Sequence, residues 1–171
     1  ALSVAVRAHD PGHVDECALR GPAGTLVNVS GIMGTNSDGE RYVDSATVKA
    51  VGTASMPFIP LLRTSDLGGA DLNPLTRGVT GALGVNNIGL LVRIAGTITH
   101  VDGAFVYIDD GAGVRDGSGY PGVRVDISAL TKVFEAGKQA TVTGVSSLMR
   151  LGTNYIPVLR ARSDADATIY P

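Results

Sequence analysis

Phe105 and Tyr107 sit at alternate positions of one predicted strand, and Arg93 and Arg124 fall on strands expected beside it. Alternate strand residues share a face, so two rings there form a stacking platform and the guanidinium groups add positive charge. This is the chemistry of a site for single-stranded nucleic acid, or for a glycan where the rings dominate. Asp109, Asp110, Asp116 and Asp126 are interleaved with the arginines, and the chain's formal net charge is −2. No basic stripe runs along it, so the expected affinity for a polyanion is weak. Asp109, Asp110 and Asp116 lie in a glycine-rich loop, where clustered carboxylates and freed carbonyls suit Ca²⁺. The loop matches neither the EF-hand spacing nor a calcium-binding β-roll repeat, and Asp-Gly and Ser-Gly are also ordinary turn chemistry. No other cofactor is indicated.

His9 and His13 have the i,i+4 spacing of helical metal ligands, with Asp10, Asp15, Glu16 and Cys17 close by. Pro11 and Gly12 between them break the helix that such a pair needs, so a solvated loop is expected. The sequence contains no Gly-x-Ser-x-Gly, no phosphate-binding loop ending in Lys-Ser or Lys-Thr, and no His-Glu-x-x-His. His100, at a predicted strand end, has no assigned partner. A non-enzymatic protein is expected. Cys17 is the only cysteine, which excludes an intrachain disulfide framework.

The elements that must position these residues are strands. Of 171 residues, 18% are charged and 44% hydrophobic, with 23 glycines and no tryptophan. That composition reads as a turn-rich all-β chain. Apolar stretches are broken by Gly and Pro well short of the roughly 18 residues a membrane helix needs. The chain starts at Ala1, and an extracellular or secreted location is the expectation.

The segment 24–48 repeats at 137–161 without a gap: Gly31 aligns with Gly144 and Tyr42 with Tyr155. Each copy reads as two strands joined by a polar loop, a duplicated unit. Expected strands cover 2–8, 25–33, 40–51, 89–101, 104–109 and 122–128, followed by a short helix over 129–136 and the second strand pair. Leu90, Val92, Ile94 and Ile98 share one face, with Gly96 as a bend site. Residues 52–87 form a Pro/Gly-rich apolar connector with one helical turn near 74–77. Its length marks it as packed on its neighbours or used at an interface.

Gly89-Leu-Leu-Val-Arg-Ile-Ala-Gly96-Thr-Ile-Thr, Phe105-Val-Tyr-Ile-Asp-Asp-Gly111 and Gly122-Val-Arg-Val125 resemble bacterial OB-fold-type tandem-repeat proteins, many of them environmental and of unknown function. The resemblance covers 86–162 and, as a partial unit, 2–51. It implies an OB-type five-stranded Greek-key barrel over 88–171, complete in its strands. A partial OB-type unit lacking its first two strands would occupy 1–51.

A structural or assembly protein follows as the expected function. Open strand edges template pairing with another chain, which would give a homo-oligomer or filament. Val4 and Val6 on the first strand, with Phe58, Ile59, Leu61 and Leu62 in the connector, are the expected assembly edge. The alternative is an OB-fold module binding single-stranded nucleic acid or glycan within a larger protein.

Overall fold

A computed structural model describes residues 24–171. The expected strand over 2–8 with Val4 and Val6, the His9 and His13 loop, and Cys17 lie outside the described residues. The protein is all-β, with strands β1 (Thr25–Thr35), β2 (Arg41–Thr53), β3 (Leu91–Asp102), β4 (Phe105–Asp109), β5 (Val123–Asp126), β6 (Gln139–Leu151), β7 (Asn154–Arg160) and β8 (Ala167–Tyr170). Among the described residues, β1 and β2 make a two-stranded sheet, and the other six strands form a second sheet in the order β3-β4-β5-β7-β6-β8.

The larger sheet closes on itself. β3 pairs antiparallel with both β4 and β6, β4 with β5, and β6 with β7, while β5 runs parallel to β7. Period-2 alternation drives the closure by giving each strand one apolar face. Val92, Ile94 and Ile98 of β3, Val106 and Ile108 of β4, and Val125 of β5 are fully buried inside it. Gly96 keeps the inward phase of β3, and a Cβ there would lie 2.4 Å from the Asp109 carbonyl oxygen. Only glycine lets the two backbones approach this closely.

Two expectations are corrected, and one strand is added. Residues 129–136 are not helical. Phe134 lies in the core and the partly buried Leu130 packs against it, while the Asp164 carboxylate accepts the backbone N–H groups of Thr131 (2.8 Å) and Lys132 (3.1 Å). These donors are satisfied from across the fold, so no i−4 carbonyl is needed. The chain reverses at Pro74 and Leu75 in a tight turn bridged by Asn73 and Thr76, not in a helical one. An additional strand, β8, pairs with the first part of β6.

The connector is packed as its composition requires. Pro60 and Leu62 exchange backbone hydrogen bonds with Arg93 on β3, both at 2.8 Å. Leu67 is 1% exposed and lies inside the core of the closed sheet. Asn87 ties the segment together, its side chain accepting from the Gly68 N–H (2.9 Å) and from Ser146 Oγ on β6 (2.7 Å). Of the expected assembly residues here, Phe58 is 88% and Leu61 64% exposed. Ile59 is half-buried, and Leu62 packs against the core.

The two copies of the repeat are both antiparallel hairpins, but their turns differ. β6 and β7 are joined tightly at Leu151 and Asn154. β1 and β2 pair out to Thr35 and Arg41 around a longer turn. That turn is organised by Asn36, whose Oδ1 accepts from the N–H groups of Asp38 (3.0 Å) and Glu40 (2.9 Å). Thr35 closes the first hairpin, whereas its aligned counterpart Leu148 lies within β6. The inner glycines are equivalent in a stricter sense: each lies against its partner strand. A Cβ on Gly31 would be 2.5 Å from the Asp44 carbonyl oxygen, and one on Gly144 would be 2.6 Å from that of Arg160.

The turn of the first hairpin docks on β6. Where the pairing of β3 with β6 ends, Leu90 O accepts from Ser146 N at 2.9 Å. The next two donors on that edge go to side chains: Leu148 N to Glu40 Oε1 (3.0 Å) and Arg150 N to Asp38 Oδ1 (3.1 Å). Carboxylates at alternate residues thus replace the carbonyls of a neighbouring strand. Glu40 Oε1 also accepts from Ser147 Oγ. The Gly39 backbone lies against the Tyr155 ring, where a Cβ would approach to 2.7 Å.

Candidate functional site

Across the outside of the closed sheet, His100 on β3 is paired with Tyr107 on β4, and Tyr107 with Arg124 on β5. The three side chains form one row. Simple alternation after the inward-facing Ile98 would turn His100 toward the core. A bulge between Ile98 and His100 resets the phase and brings His100 outward. The bulged Thr99 donates its hydroxyl to the Pro121 carbonyl at 2.6 Å. That contact holds the stretch of loop carrying Tyr120. Tyr120 stacks on His100 with ring centroids 3.5 Å apart and planes 6° from parallel, and it tilts over Tyr107 at 5.4 Å.

The Tyr107 hydroxyl is the polar centre of the row. It donates to Asp116 Oδ2 (3.1 Å) and accepts from Arg124 Nε (2.9 Å) and Nη2 (2.5 Å). Arg124 lies over the Phe105 ring at 5.2 Å and the Tyr107 ring at 5.4 Å, within cation–π range. Its Nη2 is 3.4 Å from Asp116 Oδ2, and the Asp116 side chain is only 2% exposed. Burial disfavours the Asp116 charge, but hydrogen bonds from Ser118, the Arg124 cation and the Tyr107 hydroxyl outweigh it. Its carboxyl therefore titrates below the ordinary aspartate range. Asp116 stays ionised at neutral pH and compensates Arg124.

The structure thus brings Phe105, Tyr107 and Arg124 together and joins them to His100 and Tyr120. Arg93 is not part of the group. It lies toward the other end of β3 and donates from Nε to Thr143 Oγ1 at 3.0 Å. The aspartates expected to hold calcium take separate partners. Asp109 accepts from Gly113 N (2.9 Å) and Asp116 from Ser118 N (2.9 Å). Asp110 binds both the N–H (2.9 Å) and the hydroxyl (2.5 Å) of Thr64, anchoring the connector. Among the described residues, no three His, Cys, Asp or Glu side chains are placed to hold a metal ion.

A concavity of about 410 Å³ lies between the hairpin turn and the closed sheet, lined in part by Arg41, Tyr42, Ser147, Arg160 and Arg162. Two of its three arginines are already matched by carboxylates. Arg160 pairs with Asp126 at 3.1 Å and Arg162 with Asp166 at 2.7 Å. This is a joint held by satisfied pairs, with no guanidinium of either residue left over for an anion. No protein-family model matches this chain, and no curated protein does.

Proposed function

We infer that the closed sheet is an OB-type Greek-key barrel serving as a non-catalytic binding module, with a saccharide held on the outer face of β3, β4 and β5. The cyclic order of five strands and the parallel β5–β7 pairing support the architecture. The observation that carries the ligand reading is the His100–Tyr107–Arg124 row with Tyr120 stacked upon it. Tyr120 is 38% exposed and Phe105 half-buried, so ring surface remains for a ligand. Sugars present flat C–H faces to such rings and hydroxyls to the hydrogen-bonded groups at their edge.

Charge favours a neutral ligand. Affinity for a phosphate backbone comes from uncompensated cations, and Arg124 is matched by Asp116 within the site. Catalysis is not part of the reading, because His100 is engaged ring-on-ring and no hydroxyl or thiol among the described residues is bonded to it. Titration with neutral oligosaccharides and with a labelled single-stranded oligonucleotide tests the assignment. The expected result is saccharide binding weakened about tenfold by Tyr120→Ala, the scale of one lost stacking contact. Oligonucleotide affinity that is sub-micromolar near physiological salt and lost in the same variant would replace saccharide with nucleic acid.

A separate observation favours self-association as a second role. The β1–β2 hairpin is amphipathic: Val29 pairs with Val48 and Val27 with Ala50 on one face, Ser30 with Thr47 and Asn28 with Lys49 on the other. Among the described residues the hairpin has no third strand, and two strands bury little; Leu26 (50%), Ile32 (70%) and Met33 (54%) are exposed on it. An extracellular oligomer of such modules fits both readings.

A further inference from the structure

We propose that the joint between the hairpin turn and β6 also forms between two copies of this chain, the Asp38-Gly39-Glu40 turn of one seating on the Leu148–Arg150 edge of the other. The proposal rests on the self-association reading above and names its contact. The joint is built from a tip and an edge, the two features most easily remade between molecules. The receiving groups, Leu148 N and Arg150 N, are backbone donors on a strand edge, a template for any segment that offers acceptors at the same spacing.

Asp38 and Glu40 supply that spacing, and Gly39 leaves room for the Tyr155 ring between them. The socket is also electrostatically matched to the turn, since Arg160 lies behind it with Nη2 4.0 Å from Glu40 Oε2. Specificity for a second copy follows, because the complementary piece is already seen in place.

The connection between the two parts permits the swap. After Ala54 N bonds Gly24 O at the hairpin base, the next backbone bond of the connector to another described residue is made by Pro60 O. The intervening residues 55–58 are exposed and include Pro57. About five residues of extended chain span roughly 17 Å, a hinge long enough to redirect the hairpin. The hydrogen bonds broken inside one molecule are remade on its neighbour, so concentration decides the balance. The apolar side chains of the hairpin then gain a second surface to bury against. Reciprocal swapping closes a pair, and one-way swapping runs on as a chain.

Light scattering after size exclusion, over a range of concentrations of the full chain, tests this together with native mass spectrometry. The wild-type chain is expected to form pairs or larger species that grow with concentration. The Asp38→Ala/Glu40→Ala variant should associate at least tenfold more weakly alone, and regain mixed pairs when combined with wild type, whose turns fit its empty socket. Gly39→Val, which places a side chain against Tyr155 at a φ of +81°, should weaken association likewise. It serves if the double variant fails to fold by circular dichroism. Variants that associate as strongly as wild type would overturn the joint while leaving self-association standing. A wild-type chain that is monomeric at every concentration would remove both.

Discussion

Replacing Leu67 with alanine should lower the stability of the closed sheet by about 2–5 kcal/mol, the usual cost of a buried leucine. The side chain is 1% exposed and shares the core with Val92, Ile94 and Val142, though it comes from the irregular segment before β3. It is packed among buried strand residues of a close-packed core, so the vacated space cannot collapse cheaply. Leu72 and Leu75, from the same segment, are 68% and 69% exposed. Their alanine variants should stay within about 0.5 kcal/mol of the parent. Urea unfolding followed by far-UV circular dichroism measures the difference; there is no tryptophan for fluorescence. Equal midpoints for Leu67→Ala and Leu72→Ala would mean that the connector is not part of the core.

Gly144→Ala should be nearly as damaging, at about 1–3 kcal/mol, and for the opposite reason: atoms are added where none fit. The new Cβ would meet Arg160 O at 2.6 Å, Arg160 C at 2.9 Å and Leu159 Cγ at 2.9 Å. Two of these are backbone atoms of a paired strand and cannot rotate away. Gly144 also sits where β6 passes from β8, which pairs through Val142, to β7, which pairs from Val145. Gly31→Ala meets equally close backbone, Asp44 O at 2.5 Å, but within the separate hairpin. Its effect should be confined there, leaving the main unfolding transition in place. The same pair of denaturation curves decides: a main transition shifted equally by both substitutions would show that hairpin and closed sheet unfold as one.

Both glycines were legible in the sequence as the repeated inner residue, and their aligned hairpins form. The buried face of β3 was legible too, because Val92, Ile94 and Ile98 keep strict alternation around Gly96. What alternation could not reveal was its own interruption. The bulge at Thr99 turns His100 outward, and no local composition announces it. Tyr120 was hidden for a related reason: it belongs to a loop, where no period assigns a face, and its partner is fixed only by the Thr99–Pro121 contact. Phe105, Tyr107 and Arg124 lie together because they occupy adjacent regular strands, while Arg93 lies apart from them, since strand alternation does not say which end of a long strand meets a neighbour. The helix expected over 129–136 failed on tertiary grounds. Its apolar spacing suits a helical turn, yet Asp164, distant in sequence, claims the backbone donors. β8 is short and follows the Asp-rich stretch Asp164–Asp166, so little in it stands out as a strand.

β6 has neighbours on both edges. One edge meets β8 and then β7; the other meets β3, then Leu90, then the carboxylates of Glu40 and Asp38. In deuterated water this makes a single strand a graded clock. The amides flanked by backbone on both sides, such as Val142, can take up solvent deuterium only when the closed sheet opens as a whole. The amides of Leu148 and Arg150, guarded by side-chain oxygens on a turn, are released as soon as that turn lifts. Two neighbouring stretches of one strand therefore report two different free energies, one for the whole fold and one for the hairpin leaving its seat.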